Sequence, residues 1–192
     1  MSDVICITNR LLAGINFLLQ IEKIAAACPK AIILREKDLT ESDYELLAEQ
    51  VQSICKKYDV RCILHTYSRV ALMRHADGIH LPLPELKKLT KEYIENFNVI
   101  GASIHTTTEA IEAQKLGATY ITAGHIFDTN CKKDLPPRGL GFLADVCKSV
   151  SIPVYAIGGI TKTNAPECIR SGASGVCIMS ALMICEDPSL II

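Results

Sequence analysis

The chain has 192 residues, of which 49% are hydrophobic, and a formal net charge of −1 at pH 7. This length predicts a single globular domain over residues 1–192, and the near-neutral charge excludes the basic surface typical of nucleic-acid binding. The first ten residues place an acidic side chain, and no basic segment, before their apolar run, so no signal peptide is predicted. The sequence contains no run of about 18 apolar residues, so no membrane span is predicted.

Nine cysteines lie at irregular spacings, and none forms a Cys-x-x-Cys pair. Cys6, Cys62 and Cys177 fall within apolar runs, where a free cysteine packs as a small hydrophobic side chain. Reduced cysteines are therefore expected, and with them a reducing compartment, the cytoplasm.

Short β-branched runs alternate with longer amphipathic stretches along the whole chain. Eight runs are predicted to be strands: 4–8, 31–36, 61–65, 77–81, 99–105, 120–126, 153–159 and 175–180. Predicted helices between them include 41–58, 106–118 and 164–173, and a last helix is expected to begin near Ala181. Thr106 is the N-cap candidate of the second of these helices, while Gly117 and Gly172 are C-cap signals. In 41–58, the residues at helical spacing, expected to face the core, are Leu46, Leu47, Val51 and Ile54.

Continuous apolar strands separated by helices indicate parallel strands that are covered on their outer face. Eight such repeats close into a (β/α)₈ barrel, which is the predicted fold of this α/β chain. An open, doubly wound sheet remains the alternative fold, because a strand count taken from sequence errs by one or two.

In a barrel of this kind, the carboxyl ends of the strands and the loops after them carry the chemistry. Strand 2 ends in Leu-Arg-Glu-Lys-Asp, and the period of two predicts Arg35 and Lys37 on one face of the strand. His75 is predicted in a helix, but the other four of the five histidines fall at strand ends: His65, His80, His105 and His125. A metal cluster is disfavoured, because these four come from different strands and lack a metal-binding spacing.

Small residues follow strands 7 and 8, where barrels of this kind commonly bind phosphate. Gly158 and Gly159 would let the backbone approach a ligand closely. The amide of Ser180 is expected near the start of the last helix, where unpaired amides bind anions. A phosphate site is predicted here, although the glycines could also serve only to turn the chain.

Five segments resemble, in order and spacing, the thiamine phosphate synthase/TenI superfamily. They are LREKD (34–38), ADGIHL (76–81), IGASIHTTTEAIEAQKLGATYITAGHIFDTNCKK (100–133), IPVYAIGGIT (152–161) and SGASGVCIMSAL (171–182). The resemblance runs over nearly the whole chain, is most specific over 100–133, and implies a (β/α)₈ barrel.

Two activities divide this superfamily. The synthases join a hydroxymethylpyrimidine pyrophosphate to a thiazole phosphate and use Mg²⁺. The TenI-type proteins are thiazole tautomerases, which convert a non-aromatic carboxythiazole phosphate into its aromatic tautomer.

The chain departs from the synthase pattern at three strand ends. After strand 2 the pattern is Gln-x-Arg-x-Lys, and Ile33 stands in the place of Gln. After strand 3 it is Asn-Asp, where this chain has His65 and Thr66. After strand 4 it is Gly-Gln-x-Asp, where this chain ends the run with Glu85. Both aspartates of the pattern bind Mg²⁺, which prefers hard carboxylate oxygens. No cofactor is therefore expected. Mg²⁺ would be required only if the chain were a synthase.

The position of His125 separates the two branches. Synthases typically have Pro there, whereas the tautomerase pattern Gly-His-Val-Phe-Glu-Thr…Cys-Lys-Lys is close to Gly-His-Ile-Phe-Asp-Thr-Asn-Cys-Lys-Lys at 124–133. The resemblance thus implies a thiazole tautomerase of thiamine biosynthesis with His125 as its acid–base residue. The chemistry agrees, because moving a ring proton needs a group that titrates near neutral pH.

The resemblance also implies substrate-binding roles. Arg35 and Lys37 would bind a carboxylate or a developing anion, Thr129 and Lys132 match ligand-contacting positions, and Ser103 and His105 would line the floor of the site. The phosphate would be held by Gly158, Gly159, Met179 and Ser180. The expected partner is a small phosphorylated thiazole, with no nucleic acid and no membrane, and a homo-oligomer is left open. Two alternatives remain: a synthase, or a regulatory relative that binds thiazole phosphate without turnover.

Overall fold

The computed structural model of the chain describes residues 3–129, 132 and 135–192. Its eight strands form a closed barrel in chain order, and the pairs described below are parallel. This confirms the predicted (β/α)₈ barrel over the open sheet. The strands are β1 Asp3–Ile7, β2 Ala31–Leu34, β3 Arg61–His65, β4 Gly78–Pro82, β5 Ile100–Ile104, β6 Tyr120–Gly124, β7 Val154–Ile157 and β8 Gly175–Ile178.

The helices alternate with these strands. They are α1 Arg10–Ala13, α2 Phe17–Ala26, α3 Glu41–Lys57, α4 Ser68–Met73, α5 Leu83–Leu86, α6 Lys91–Ile94, α7 Thr107–Lys115, α8 Gly139–Ser149, α9 Ala165–Arg170 and α10 Ser180–Ile184, with 3₁₀ turns at Gly14–Asn16 and Pro188–Leu190. Within the described part of the chain, none of the helices has the length and apolar character that crossing a membrane would take.

The described chain forms two compact units. The first unit comprises Val4–His80 and Ile178–Ile192, and the second comprises Leu81–Cys177 together with Asp3. In the first unit β1 pairs with β2, β2 with β3 and β3 with β4, all in parallel. In the second unit the parallel pairs are β5 with β6, β6 with β7 and β7 with β8. Within each unit, therefore, the carboxyl ends of the paired strands lie at one edge.

The core of the first unit is built on fully buried strands such as β2 and on one face of α3. The buried residues of α3 are Tyr44, Ala48, Val51 and Cys55. The predicted face was therefore partly wrong: Val51 is buried, but the side chain of Leu46 is 65% exposed. The small residues Ala48 and Cys55 let the helix approach the strands, and Leu46, two positions from Tyr44, points away from that face.

Helix ends in the second unit follow the predicted signals. The hydroxyl of Thr106 caps α7 and accepts a hydrogen bond from the Glu109 N–H at 3.1 Å. Gly117 follows the helix with φ +95° and Gly172 follows α9 with φ +100°, a region that favours glycine. These predictions are confirmed.

The described cysteines are free thiols, and the three placed in strands are buried there: Cys6 in β1, Cys62 in β3 and Cys177 in β8. Cys131 lies outside the described residues. The placement of these cysteines within strands is confirmed.

The strand β2 and the helix α4 end earlier than predicted, and this changes how the residues after them are placed. β2 ends at Leu34, because the N–H of Arg35 donates to the Thr8 hydroxyl at 2.9 Å instead of a neighbouring strand. The prediction that Arg35 and Lys37 share one face of a strand is therefore wrong, since both lie in the following loop. α4 ends at Met73, so His75 is not helical; it follows with φ +47°.

Candidate functional site

The predicted site residues and their contacts define two groups, one in each unit, at the carboxyl ends of the strands. The cationic cluster of the first unit consists of Arg35, Lys37, His65 and His80. The loop cluster of the second unit consists of His105, Gly124, His125, Arg138 and Gly158. Met179 and Ser180 belong to the first unit, where Met179 precedes α10 and Ser180 opens it.

In the cationic cluster, two buried imidazoles stack beside two cations. His65 ends β3 and is in register with His80 of β4, and their ring centroids lie 5.4 Å apart at an interplanar angle of 24°. Arg35 is half-buried and Lys37 is exposed at the end of the adjacent strand.

Burial sets the charge of this cluster. It lowers the pKa of His80 to about 3, with Lys37 and Arg35 lowering it further. The pKa of His65 is also well below its ordinary value, because of burial first and then of His80, Lys37 and Arg35. Both rings are therefore neutral at pH 7, and the cluster presents two cations beside neutral imidazoles. Such a surface suits an anionic ligand group.

A buried acid, Glu36, supports the loop that carries these cations. Its side chain is 3% exposed. It accepts the Thr8 hydroxyl at 2.6 Å and the Arg10 N–H at 3.0 Å on both oxygens. Burial raises the pKa of the Glu36 carboxyl. Glu36 thus ties the loop after β1 to the end of β2. Sequence reasoning missed it, because an acid inside a charged run looks like a surface residue.

At the two positions where the resemblance to synthases leads us to expect metal-binding aspartates, this chain has other groups, each with a partner of its own. Thr66 has φ +71°, and its hydroxyl lies 2.6 Å from Nδ1 of His65. Glu85, in α5, forms an ion pair with Lys88 at 2.8 Å and is partly exposed.

His125 follows β6 directly, after a cis peptide bond to Gly124. The side chain is only 5% exposed, and its Nε2 lies 3.2 Å from the Leu135 carbonyl oxygen. A carbonyl can only accept, so Nε2 carries the proton and Nδ1 has the lone pair of the neutral ring. The backbone of His125 is held as well, because its carbonyl accepts the Arg138 N–H at 2.9 Å.

Gly158 and Gly159 pack against the chain segment that begins at His125. They have φ values of +97° and +67°. A Cβ added at Gly158 would lie 2.2 Å from Cβ of His125, and one at Gly159 would lie 2.3 Å from the Asp128 carbonyl oxygen. The atoms packed against these two glycines therefore belong to the chain segment that begins at His125. Their binding of phosphate stays a prediction.

His105 follows β5 and is exposed. Its Nδ1 lies 2.8 Å from the Gly124 carbonyl oxygen, and its backbone N–H donates to the Glu109 carboxylate at 2.5 Å. Ser103, two positions earlier in β5, is half-buried and accepts a hydrogen bond from the hydroxyl of Thr122 in β6 at 3.3 Å. His105 is thus fixed at both its ring and its backbone.

The loop after β6 holds the other predicted ligand contacts. Thr129 and Lys132 are half-buried, and the Lys132 N–H donates to the Thr129 carbonyl at 3.1 Å. The remaining residues of the motif, Asn130, Cys131 and Lys133, lie outside the described residues.

Arg138 belongs to the loop cluster and was not predicted. Its Nε donates to the Gly124 carbonyl at 3.2 Å, and its guanidinium lies 5.5 Å from the ring centroid of Phe142. No local pattern marks this residue, since it stands in a Pro-rich loop 14 positions after its partner.

Comparison with known proteins gives consistent matches. The family model described as "Thiamine monophosphate synthase" matches residues 4–182. The thiamine-phosphate synthase of Clostridium novyi is 36% identical over 156 residues, which cover 80% of this chain and 76% of that protein. Thiamine-phosphate synthase 2 of Streptococcus pneumoniae is 34% identical over 183 residues, covering 94% and 87%. The solved structure of thiamine phosphate pyrophosphorylase from Pyrococcus furiosus has a TM-score of 0.85 and 31% identity, and covers 99% of this chain and 91% of that one.

Proposed function

Because this chain belongs to the thiamine monophosphate synthase family, we propose that it is an enzyme of thiamine biosynthesis and, within that family, a thiazole tautomerase. The substrate is a non-aromatic carboxythiazole phosphate, and the product is its aromatic tautomer. The observation that carries the proposal is His125, an imidazole held at the end of β6 by the Leu135 carbonyl.

The reaction moves one proton and needs no other group transfer. A ring carbon loses its proton, the bonding electrons move into the conjugated system, and another carbon of that system gains a proton. A histidine held in one tautomer is suited to this work, because it can take up or give a proton at a fixed atom near neutral pH. In His125 that atom is Nδ1.

Anion binding is assigned to two sets of groups. Arg35 and Lys37 are proposed to bind the carboxylate, since two cations beside neutral imidazoles favour a negative group. The backbone around Gly158, Gly159, Met179 and Ser180 is proposed to hold the phosphate, with Thr129 and Lys132 contacting the ligand from the loop after β6.

The donor groups of this chain do not fit the Mg²⁺ site of a synthase. The hydroxyl of Thr66 is engaged by His65 at 2.6 Å, and the carboxylate of Glu85 by Lys88 at 2.8 Å. A magnesium ion bridging a pyrophosphate needs carboxylate oxygens directed at it. No step of the proposed reaction therefore involves a metal.

A thiamine phosphate synthase is the second candidate, and the names of the relatives favour it. The matched proteins of Clostridium novyi and Streptococcus pneumoniae are both named as synthases. That reaction would require the pyrophosphate to be bound with Mg²⁺ despite the changed residues at 66 and 85.

The two candidates are separated by assaying the purified protein with each substrate set. One arm contains the non-aromatic carboxythiazole phosphate with a chelator. The other contains hydroxymethylpyrimidine pyrophosphate, thiazole phosphate and Mg²⁺. The proposal predicts conversion in the first arm and no thiamine phosphate in the second. Mg²⁺-dependent thiamine phosphate formation without conversion of the tautomer would establish the synthase instead. Tight binding of thiazole phosphate without either reaction would indicate a regulatory relative.

A further inference from the structure

Two histidines of the loop cluster are held in defined tautomers by backbone carbonyls. His125 donates from Nε2 to Leu135, and His105 donates from Nδ1 to Gly124. Since a carbonyl oxygen only accepts, the neutral ring of His105 has its lone pair on Nε2 and that of His125 has it on Nδ1. Among the residues that the structure describes, Nε2 of His105 and Nδ1 of His125 have no hydrogen-bond partner, and these are different atoms of the imidazole.

His105 and His125 directly follow the adjacent strands β5 and β6, and the ring of His105 contacts the peptide unit that joins Gly124 to His125. β5 and β6 pair in parallel with Ile104 opposite Ala123. His105 and Gly124 are the next residues along these two strands, so they lie opposite each other. Neighbouring strands are about 4.8 Å apart. The hydrogen bond from His105 ends on the carbonyl of the residue that directly precedes His125.

The ring of His105 is the better prepared of the two to act as a base. Its hydrogen bond to a carbonyl is 2.8 Å long, against 3.2 Å for that of His125. A hydrogen bond donated from Nδ1 orients the ring and stabilises the positive charge that develops when Nε2 takes up a proton. His105 is also an exposed residue, whereas His125 is buried.

The carbonyl that orients His105 is itself held in place. Arg138 donates to the same Gly124 oxygen from Nε at 3.2 Å. Glu109 fixes the backbone of His105, in an arrangement like a capping box at the start of α7. A group that must approach a substrate atom with a fixed orientation needs such support.

We propose that His105 is a second catalytic residue, which removes the substrate proton through Nε2, while His125 returns a proton through Nδ1. This inference rests on the proposed tautomerase function and extends it to a two-residue mechanism. The C–H bond of the ring carbon breaks, and its proton goes to Nε2 of His105. The electron pair moves through the conjugated system, and the carbon at its far end takes the proton that Nδ1 of His125 has first taken up from solvent. Exchange with solvent then resets both rings, and no oxidant or co-reactant is needed.

The test follows hydrogen exchange and product formation separately by NMR in D₂O, with the non-aromatic carboxythiazole phosphate as substrate. In His125→Asn, exchange of the substrate hydrogen with solvent should continue near the wild-type rate, while product formation falls about 100-fold or more. In His105→Asn, exchange and product formation should both fall by about that factor. His75→Asn is the matched control, because His75 is exposed and has φ +47°, which Asn tolerates; it should change neither rate.

Product formation and exchange at wild-type rates in a folded His105→Asn variant would overturn this assignment but not the proposed function. Failure of the wild-type protein to convert the substrate would overturn both. If the His105→Asn variant does not fold, the inference is tested with the wild-type enzyme. The substrate is then deuterated at the carbon that loses its hydrogen, and the reaction is run in H₂O. Two residues deliver a solvent proton, so the product should carry no deuterium. Deuterium in the product would show that a single residue moves the same proton, and would overturn the inference.

Discussion

Gly158 and His125 pack against each other so closely that a Cβ on Gly158 would lie 2.2 Å from Cβ of His125 and 2.7 Å from its Cα. The Phe127 N–H also donates to the Gly158 carbonyl at 3.0 Å, which continues the pairing of the two chain segments beyond β6 and β7. Gly158 therefore determines where the backbone of His125 lies, whatever its part in binding phosphate.

Replacing Gly158 by Ala should lower both stability and turnover. The new methyl group would meet His125, and φ +97° is unfavourable for any residue with a Cβ. Strain of this kind costs about 1–3 kcal/mol, measurable by chemical denaturation, and the displaced imidazole should reduce tautomerisation. Gly141→Ala in α8 is the matched control, because a Cβ there meets nothing within 4 Å. It should be neutral or stabilising by about 0.5–1 kcal/mol. Equal effects of the two substitutions would argue against a positioning role for Gly158.

The buried pair His65 and His80 should make the fold sensitive to acid. Their pKa values are depressed by burial, so below about pH 6.5 the unfolded chain binds protons that the folded chain does not. Their contribution to stability is present above that pH and is lost as the pH falls. The free energy of unfolding should drop by up to about 1.4 kcal/mol per pH unit for each histidine.

Denaturation between pH 7 and pH 5 measures this slope. In His65→Asn the slope should be shallower than in the wild type, whereas His75→Asn, which removes an exposed imidazole, should leave it unchanged. A wild-type slope retained in full by His65→Asn would show that the buried ring is not responsible.

Glu36 should show the opposite dependence on pH. Burial raises the pKa of its carboxyl in the folded chain, so from about pH 4.5 upward the folded chain holds a proton that the unfolded chain has released. Stability from this group is full below that pH and is lost as the pH rises through the folded pKa. The wild type should therefore lose stability relative to Glu36→Gln as the pH increases.

Glu22 provides a control of opposite sign. Its pKa is lowered, chiefly by a hydrogen bond from Lys57, and it lies at the surface. The wild type should gain stability relative to Glu22→Gln as the pH rises, by a small amount because the pair is exposed. A difference between wild type and Glu36→Gln that grows in favour of the wild type with pH would show that Glu36 is not destabilised by burial.

The fold and the position of His125 at a strand end could be predicted because both follow local patterns. Alternating apolar runs and amphipathic stretches determine a barrel, and the Thr106 cap depends on neighbours within one helical turn. The location of His125 after strand 6 needs only the strand's own end and the motif that follows it.

The supporting contacts could not be predicted, because they join residues that are distant in the chain. Glu36 meets Thr8 across 28 positions, and Arg138 meets Gly124 across 14. These pairs depend on how the loops fold over the strand ends. The prediction that Leu46 faces the core was also wrong. The helix packs through a face that contains small residues, and its most hydrophobic face is not the buried one.

The most direct test of the central claim is the tautomerisation rate of His125→Asn with the non-aromatic carboxythiazole phosphate. Asn keeps polar atoms at the ring position but does not titrate near neutral pH. A positioned acid–base group contributes about 10²–10⁴-fold, so turnover should fall by that factor while substrate binding and thermal stability stay close to those of the wild type. Wild-type turnover by folded His125→Asn would contradict the claim that this residue transfers the proton.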